Sequence, residues 1–408
     1  MAISRKATGR PVGQGRDLKV LLYSHDTFGL GHLRRCRAIS GALTASSEHI
    51  SALIITGSPV AGRFTFPNRV DYVRLPGVTK RVDGSYVSDK LGLDIDETTT
   101  LRSGLIKSLV EQFVPDLIIV DKEPTGFRGE LLPALEWLYE HSSTRLVLGL
   151  RDILDSPKPL ADEWKRKGGV EAVKRFYDEI WVYGLESIYD PTSGLELPAD
   201  LRERMHWTGY LRRESLTRTP TLDEPYILVT PGGGGDGQAM VDLVLRAYEQ
   251  DPLLKPKALL VFGPFLTGQA RVDFEQRIAQ LDGRIEAVGF ESNMENLMAG
   301  AQGVVAMGGY NTFCEILSCD VPAIIVPRTV PRLEQYIRAC RAEELGLVRM
   351  LDINQKGSNV ESMITGIRGL PAQLPPSAGH YRGLLGGLDY IVKRVNSLVS
   401  EELEQERA

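Results

Sequence analysis

Leu18-Lys19-Val20-Leu21-Leu22-Tyr23-Ser24 runs into His25-Asp26-Thr27-Phe28-Gly29-Leu30-Gly31-His32 and then into a helical stretch from Leu33 to Leu43. Farther along, Tyr226-Ile227-Leu228-Val229-Thr230 runs into Pro231-Gly232-Gly233-Gly234-Gly235-Asp236-Gly237 and a helical stretch from Ala239 to Tyr248. In each, an apolar strand gives way through glycines to a helix. A doubly wound α/β domain uses this opening to present backbone N–H groups to a phosphate or sugar. Two such openings predict two similar domains facing each other across a cleft.

The rest of the chain fits that plan. At 408 residues it exceeds the size at which one hydrophobic core stops growing, so two domains are expected. In the first half, strands are predicted at Lys19–Tyr23, Ser51–Thr56, Val70–Leu75, Asp116–Val120, Arg145–Gly149 and Glu179–Tyr183. They alternate with helices at Leu33–Ala45, Thr98–Phe113, Gly129–Glu140 and Ala161–Phe176. Continuous apolar strands such as Leu117-Ile118-Ile119-Val120 suit a parallel sheet buried on both faces. Gly77 to Thr98 reads as a long surface loop. The pattern restarts at Tyr226, and a last amphipathic helix begins near Gly387, with Leu388, Ile391, Val392, Val395 and Leu398 at helical spacing. The expected organisation is a basic disordered tail over 1–17, an N-terminal Rossmann-like domain over 18–210 and a linker over 211–225. A C-terminal Rossmann-like domain over 226–370 follows, then a Pro-rich connector and helix over 371–408.

Composition narrows the function classes. A net charge of −5 argues against a dedicated nucleic-acid binder. Cys36, Cys314, Cys319 and Cys340 form no CxxC pair and read as thiols in a reducing cytosol. No apolar run approaches the ~20 residues that span a bilayer. A cytoplasmic protein is expected, touching the inner face of the plasma membrane at most peripherally.

Three clusters carry the candidate chemistry. In Gly29-Leu30-Gly31-His32, the glycines permit a tight turn and close ligand approach, and His32 falls in the first helical turn. A helix N-terminus disfavours the imidazolium, so His32 suits a general base; a capping role is the alternative. Asp26, at the end of the strand, suits a carboxylate that orients the base, or an ordinary turn cap. Of Arg34, Arg35 and Arg37, most are expected in solvent, with Arg35 or Arg34 reaching an anion. Gly233, Gly234 and Gly235 suit a phosphate nest, although the Lys-Ser/Thr pair of a P-loop is missing. In Gly308-Gly309-Tyr310-Asn311-Thr312-Phe313-Cys314-Glu315, glycines again open a helix, with Asn311 and Thr312 placed for phosphate and Glu315 for two vicinal hydroxyls. A helix-dipole role for Glu315 is the alternative. Glu334-Gln335 opens a further helix after a basic loop. Asp94-Ile95-Asp96 is a three-letter match to a metal-holding DxD and is read as chance, so no metal is assigned.

In this order, the clusters resemble the GT-B glycosyltransferases, in particular the family-28 group that contains the MurG-like peptidoglycan N-acetylglucosaminyltransferases. Gly309 to Glu315, Val321-Pro322-Ala323-Ile324-Ile325-Val326-Pro327 and Glu334-Gln335-Tyr336 carry the donor-nucleotide part of the resemblance. It implies that Glu315 holds the ribose, that residues around Gln335 contact the donor sugar, and that Phe290 of Val288-Gly289-Phe290 frames the base. It also places His32 near the reacting centre and has the C-terminal helix cross back to the first domain. Gly-Leu-Gly-His-Leu-Arg-Arg-Cys over 29–36 is similar as well to the nucleotide-sugar hydrolases of pseudaminic acid synthesis, which use that histidine on water.

The expected protein is an inverting, metal-independent glycosyltransferase that needs no cofactor. It would move a sugar from a nucleotide-sugar donor, a UDP-sugar by resemblance, to a hydroxyl of a lipid-linked or polysaccharide acceptor in cell-envelope or polysaccharide biosynthesis. A hydrolase using His32, or a non-catalytic nucleotide-sugar-binding protein, are the alternatives.

Overall fold

A computed structural model describes residues 17–25, 31–81, 85–213, 222, 224–233, 235–263, 266, 268–291, 293–354 and 360–407. The chain divides into two units: one runs to Leu211 and resumes at Gly386, and the other spans Arg212–Leu385.

In the first unit the strands are β1 (Leu18–Ser24), β2 (Ile50–Thr56), β3 (Val70–Arg74), a short hairpin of β4 (Val78–Lys80) and β5 (Tyr86–Ser88), then β6 (Leu117–Asp121), β7 (Arg145–Arg151), β8 (Glu179–Tyr183) and β9 (Met205–Trp207). Its helices are α1 (Gly31–Ser46), α2 (Ile95–Phe113), α3 (Leu132–His141), α4 (Pro157–Lys167), α5 (Gly169–Phe176) and the one-turn α6 (Ala199–Arg202). The main sheet has seven strands in the order β3-β2-β1-β6-β7-β8-β9. Its neighbours are parallel throughout. Parallel strands need both faces covered, which is why β6 and β8 are buried at every position. Leu21, Val120, Leu148 and Val182 join Leu135 and Phe176 of the helices in one core.

The second unit repeats the design with β10 (Tyr226–Thr230), β11 (Lys257–Val261), β12 (Ile285–Val288), β13 (Gly303–Ala306), β14 (Ala323–Ile325) and β15 (Arg349–Met350). They are interleaved with α7 (Gln238–Gln250), α8 (Gln269–Ala279), α9 (Met294–Ala299), α10 (Tyr310–Cys319), α11 (Glu334–Glu344) and α12 (Val360–Gly369). The parallel order is β12-β11-β10-β13-β14-β15. In both sheets the first strand lies between the second and a later one. The connections therefore reverse direction beside β1 and beside β10, and open α/β sheets bind ligands at the carboxyl ends of the strands flanking such a reversal.

The last helix, α13 (Gly387–Arg407), belongs to the first unit and packs on α1. Its Ile391 and Val395 are buried. Arg394 donates to Glu179 of β8, and the Tyr390 hydroxyl lies 2.8 Å from His206 Nδ1 of β9.

The structure departs from the predicted elements in two places. The single helix expected over Ala161–Phe176 is two, because Gly168 takes a left-handed φ of 61° and closes α4 before α5 begins. The loop expected over Gly77–Thr98 contains the β4–β5 hairpin and the start of α2. Asp94 is the N-cap of α2 in a reciprocal capping box with Glu97, and Asp96 accepts from Arg128 at 2.6 Å. That accounts for both carboxylates of the DxD. The four cysteines are free thiols. Among the described residues, no helix is long and apolar enough to cross a membrane.

Candidate functional site

In the first unit the reversal lies between β1 and β6. The chain after β1 leads to α1, whose second residue is His32, and β6 ends on Asp121. His32 Nδ1 lies 2.6 Å from Asp121 Oδ2. The side chain of His32 is 14% exposed and that of Asp121 only 2%. Arg35, one turn along α1 and as buried as Asp121, donates from Nη2 to Asp121 Oδ2 at 2.7 Å and from Nε to Oδ1 at 3.2 Å. Its Nη2 is also 2.9 Å from His32 Nδ1. Burial alone would push the Asp121 carboxyl up, but Arg35 and His32 more than reverse this and hold it well below the usual carboxylate range.

An ionised carboxylate so close makes Nδ1 the protonated nitrogen of a neutral His32. The Nη2 proton of Arg35 then goes to Asp121 rather than to the ring, and Nε2 keeps the lone pair. The N-terminal end of α1 adds its own bias against an imidazolium. The arrangement is one that can accept a proton at Nε2.

Around it, the His25 ring stands edge-on to His32 with centroids 5.6 Å apart. Burial pushes His25 well below its ordinary range. Lys122 and Lys167 both pair with the buried Glu123, at 3.1 and 2.8 Å.

Among the sequence-predicted residues of this unit, Asp26 and Gly29 lie outside the described residues. Gly31 opens α1 and His32 follows it. The carboxylate on the base is Asp121. Of the three arginines, Arg35 is the one that reaches an anion, and that anion is this buried carboxylate. Arg34 and Arg37 are half-buried.

In the second unit the reversal lies between β10 and β13, and the two glycine turns meet there. Gly232, at φ 74°, is close to Thr312: a Cβ built on it would stand 3.9 Å from Thr312 Oγ1. Gly308, at φ 77°, packs so tightly that a Cβ would come 2.6 Å from Ile325. Gly309 is the N-cap of α10 and supplies no side-chain cap. Arg213 is buried beside α10. Its Nη2 donates to Asn311 Oδ1 at 2.8 Å, while Nε and Nη1 have no hydrogen-bond partner among the described residues.

Glu315, on the next turn of α10, is buried as well. Gln335 Oε1 accepts from the Arg328 amide at 3.2 Å, and Glu334 accepts from Arg328 Nη2 at 2.6 Å. The other Nη of Arg328 reaches Asp236 of the first glycine turn at 2.6 Å. Phe290 is half-buried just beyond β12, at the same carboxyl edge of the sheet. Gly233 and Gly235 are half-buried in the turn after β10, and Gly234 lies outside the described residues. The structure thus places Gly232, Gly308, Gly309, Asn311, Thr312, Glu334 and Gln335 around one edge. The sequence reading missed Arg213, whose signal was the arginine pair Arg212-Arg213 one residue beyond the strand-like Thr208-Gly209-Tyr210.

Two doubly wound parallel domains, with a C-terminal helix returned to the first, define the GT-B glycosyltransferase fold. Residues 227–375 match the glycosyltransferase family 28 C-terminal domain, and the second unit is related to that domain. Over 125 residues the chain is 24% identical to the UDP-N-acetylglucosamine–N-acetylmuramyl-(pentapeptide) pyrophosphoryl-undecaprenol N-acetylglucosamine transferase of Carboxydothermus hydrogenoformans. That match spans 30% of this chain and 33% of the relative, so the chain covers about a third of the curated relative's length. Among solved structures, TcCGT1 in complex with UDP is similar at a TM-score of 0.66 with 12% identity, over 95% of this chain and 100% of that one. The glycotransferase of kitacinnamycin has a TM-score of 0.62 and 14% identity over 95% and 100%. MurG of Acinetobacter baumannii has 0.58 and 12% over 93% and 99%. At these identities the likeness is one of fold.

Proposed function

We propose that the protein is an inverting glycosyltransferase that moves a sugar from a UDP-sugar to a hydroxyl acceptor without a metal. The observation that carries this reading is the contact of His32 Nδ1 with buried Asp121, which leaves Nε2 as a base at a ligand-binding edge. The match of the other unit to a glycosyltransferase donor domain supports it.

In this reaction the second unit takes the donor. The α10 amides, Asn311, Thr312 and the Gly232–Gly235 turn receive the diphosphate, with Arg213 Nε and Nη1, which have no hydrogen-bond partner among the described residues, as further donors. Glu315 accepts from the ribose hydroxyls, Phe290 frames the base, and Glu334 and Gln335 meet the sugar. The first unit supplies the proton acceptor. Nε2 of His32 takes the acceptor's hydroxyl proton as the oxygen bonds to the anomeric carbon. The bond from that carbon to the diphosphate breaks, and UDP leaves with the electron pair. Attack opposite the leaving group inverts the centre. Asp121 stabilises the imidazolium that forms. Negative charge developing on the diphosphate meets fixed N–H dipoles and a guanidinium, so the chemistry calls for no metal.

The test is UDP release from a panel of UDP-sugars, with and without lipid and polysaccharide acceptors, comparing wild type with His32→Ala and Glu315→Ala. Acceptor-dependent release lost in both variants is the expected result. Rapid acceptor-free release lost in both would make the protein a hydrolase, in which the same base acts on water. Tight UDP binding that survives His32→Ala, with no turnover of any donor, would make it a sensor.

A further inference from the structure

The base carries one feature that a histidine–carboxylate pair does not need, a second buried charge. Arg35 grips Asp121 through two nitrogens and brings one of them within 2.9 Å of His32 Nδ1. A lone carboxylate would draw a second proton onto the imidazole and so consume the base. With Arg35 beside it, the carboxylate still accepts from Nδ1–H, but the pair that faces the ring has no net charge.

We propose that Arg35 is a positioning residue: its two-point grip fixes the Asp121 carboxylate against His32 and holds the imidazole neutral, with its proton on Nδ1 and its lone pair on Nε2. The assignment rests on the reading of His32 as the base, and it adds that the availability of that base is set from α1. Arg35→Met leaves His32 against an unopposed carboxylate, so the imidazole should keep its proton to higher pH.

The other groups around the pair do not supply this effect. His25, at the end of β1, is kept neutral by burial. Lys122 and Lys167 pair with Glu123, which with Lys122 follows Asp121 off β6, and Lys167 pairs with Glu163 as well, so the four charges cancel. Burial pushes the Tyr183 phenol of β8 well up, so it stays neutral beside Asp121, Cys36 and Arg35. Among the described residues, Arg35 is the cation seen against both the carboxylate and the ring.

The experiment is NMR on the full chain with labelled histidine, His32 being assigned from the signal lost in His32→Gln. In wild type the long-range proton–nitrogen pattern should report an Nδ1–H tautomer. In Arg35→Met the His32 titration midpoint should rise by about one pH unit or more, a tenfold change in the ionisation constant. In Arg35→Lys, which keeps the charge and loses the fork, the midpoint should stay within half that rise of wild type while the tautomers mix. An Nε2–H tautomer in wild type, or a midpoint in Arg35→Met that stays put or falls, would overturn the assignment. The tautomer is read on wild type and Arg35→Lys keeps the charge, so the test survives a failure of Arg35→Met to fold. No substrate is present, so a protein that turned over no nucleotide sugar would sink the proposed reaction and leave this result standing.

Discussion

Asp121→Asn tests the site most directly, because the same atoms set stability and turnover. Asp121 accepts from His32 at 2.6 Å and from Arg35 at 2.7 and 3.2 Å, and the Arg35 side chain is only 2% exposed. Neutralising the carboxylate strands a buried guanidinium. Breaking a buried pair from one side costs about 3–5 kcal/mol, and an amide that keeps one acceptor oxygen belongs at the lower end. For a domain of this size, each kcal/mol moves Tm by roughly 2–4 °C. The first unit should thus melt about 6–12 °C lower at pH 7. The sign with pH follows from the depressed carboxyl of Asp121. A carboxylate held below its unfolded value of about 3.9 stabilises fully above that value and loses the contribution as pH falls toward its folded value. The gap between wild type and variant should therefore be constant from pH 8 to 5, begin to narrow below about pH 4, and close only as the pH nears the depressed folded value. Scanning calorimetry at pH 7, 5, 4 and 3 measures it. The amide also removes the charge that fixes the Nδ1–H tautomer, a change that costs about 10⁴ in the Ser-His-Asp triad. UDP release should fall by roughly 10²–10⁴. A gap as wide at pH 3 as at pH 7, or turnover within tenfold of wild type, would refute this account of the base.

Two further substitutions probe the packing of each unit. Gly263→Ala places a methyl 2.3 Å from the Gly232 carbonyl at a φ of 84°, so it should destabilise the second unit by roughly 1–3 kcal/mol and weaken UDP binding by displacing the glycine turn. Calorimetric titration that finds wild-type affinity would show that the close approach does not shape the turn. Arg102→Met removes the cation that donates to Glu130 at 2.6 and 2.7 Å under β1, where Tyr23 also donates to Glu130 at 2.7 Å. Both charged side chains are almost wholly buried, and the loss should be about 3–5 kcal/mol in urea unfolding; a loss under 1 kcal/mol would mean that Tyr23 satisfies the carboxylate alone.

What was legible in the sequence follows from what is local. β1 and β10 are continuous apolar runs closed by glycine, and that pattern gives both the strand and the turn without knowledge of any partner. Glu179–Tyr183, Tyr226–Thr230 and Gly303–Ala306 are read to the residue for the same reason. The β4–β5 hairpin was harder, since its strands are three residues each, although Asp83-Gly84 between them is a turn signal in the sequence. α12 begins beyond a polar stretch and carries its apolar residues over only ten positions, which does not distinguish a helix from a loop before packing is known.

The pairing at the centre of the site belongs to neither category. Asp121 is 89 residues from His32 and meets it because β6, rather than β2 alone, lies beside β1. The sequence held a clue of a different kind: Leu117-Ile118-Ile119-Val120 is apolar throughout and ends on an acid. A strand buried on both faces leaves a terminal carboxylate no cheap route to solvent, so such an acid requires a partner. Two stand at the head of α1, His32 and Arg35. Burial of one charge is therefore what fixed the place of the other.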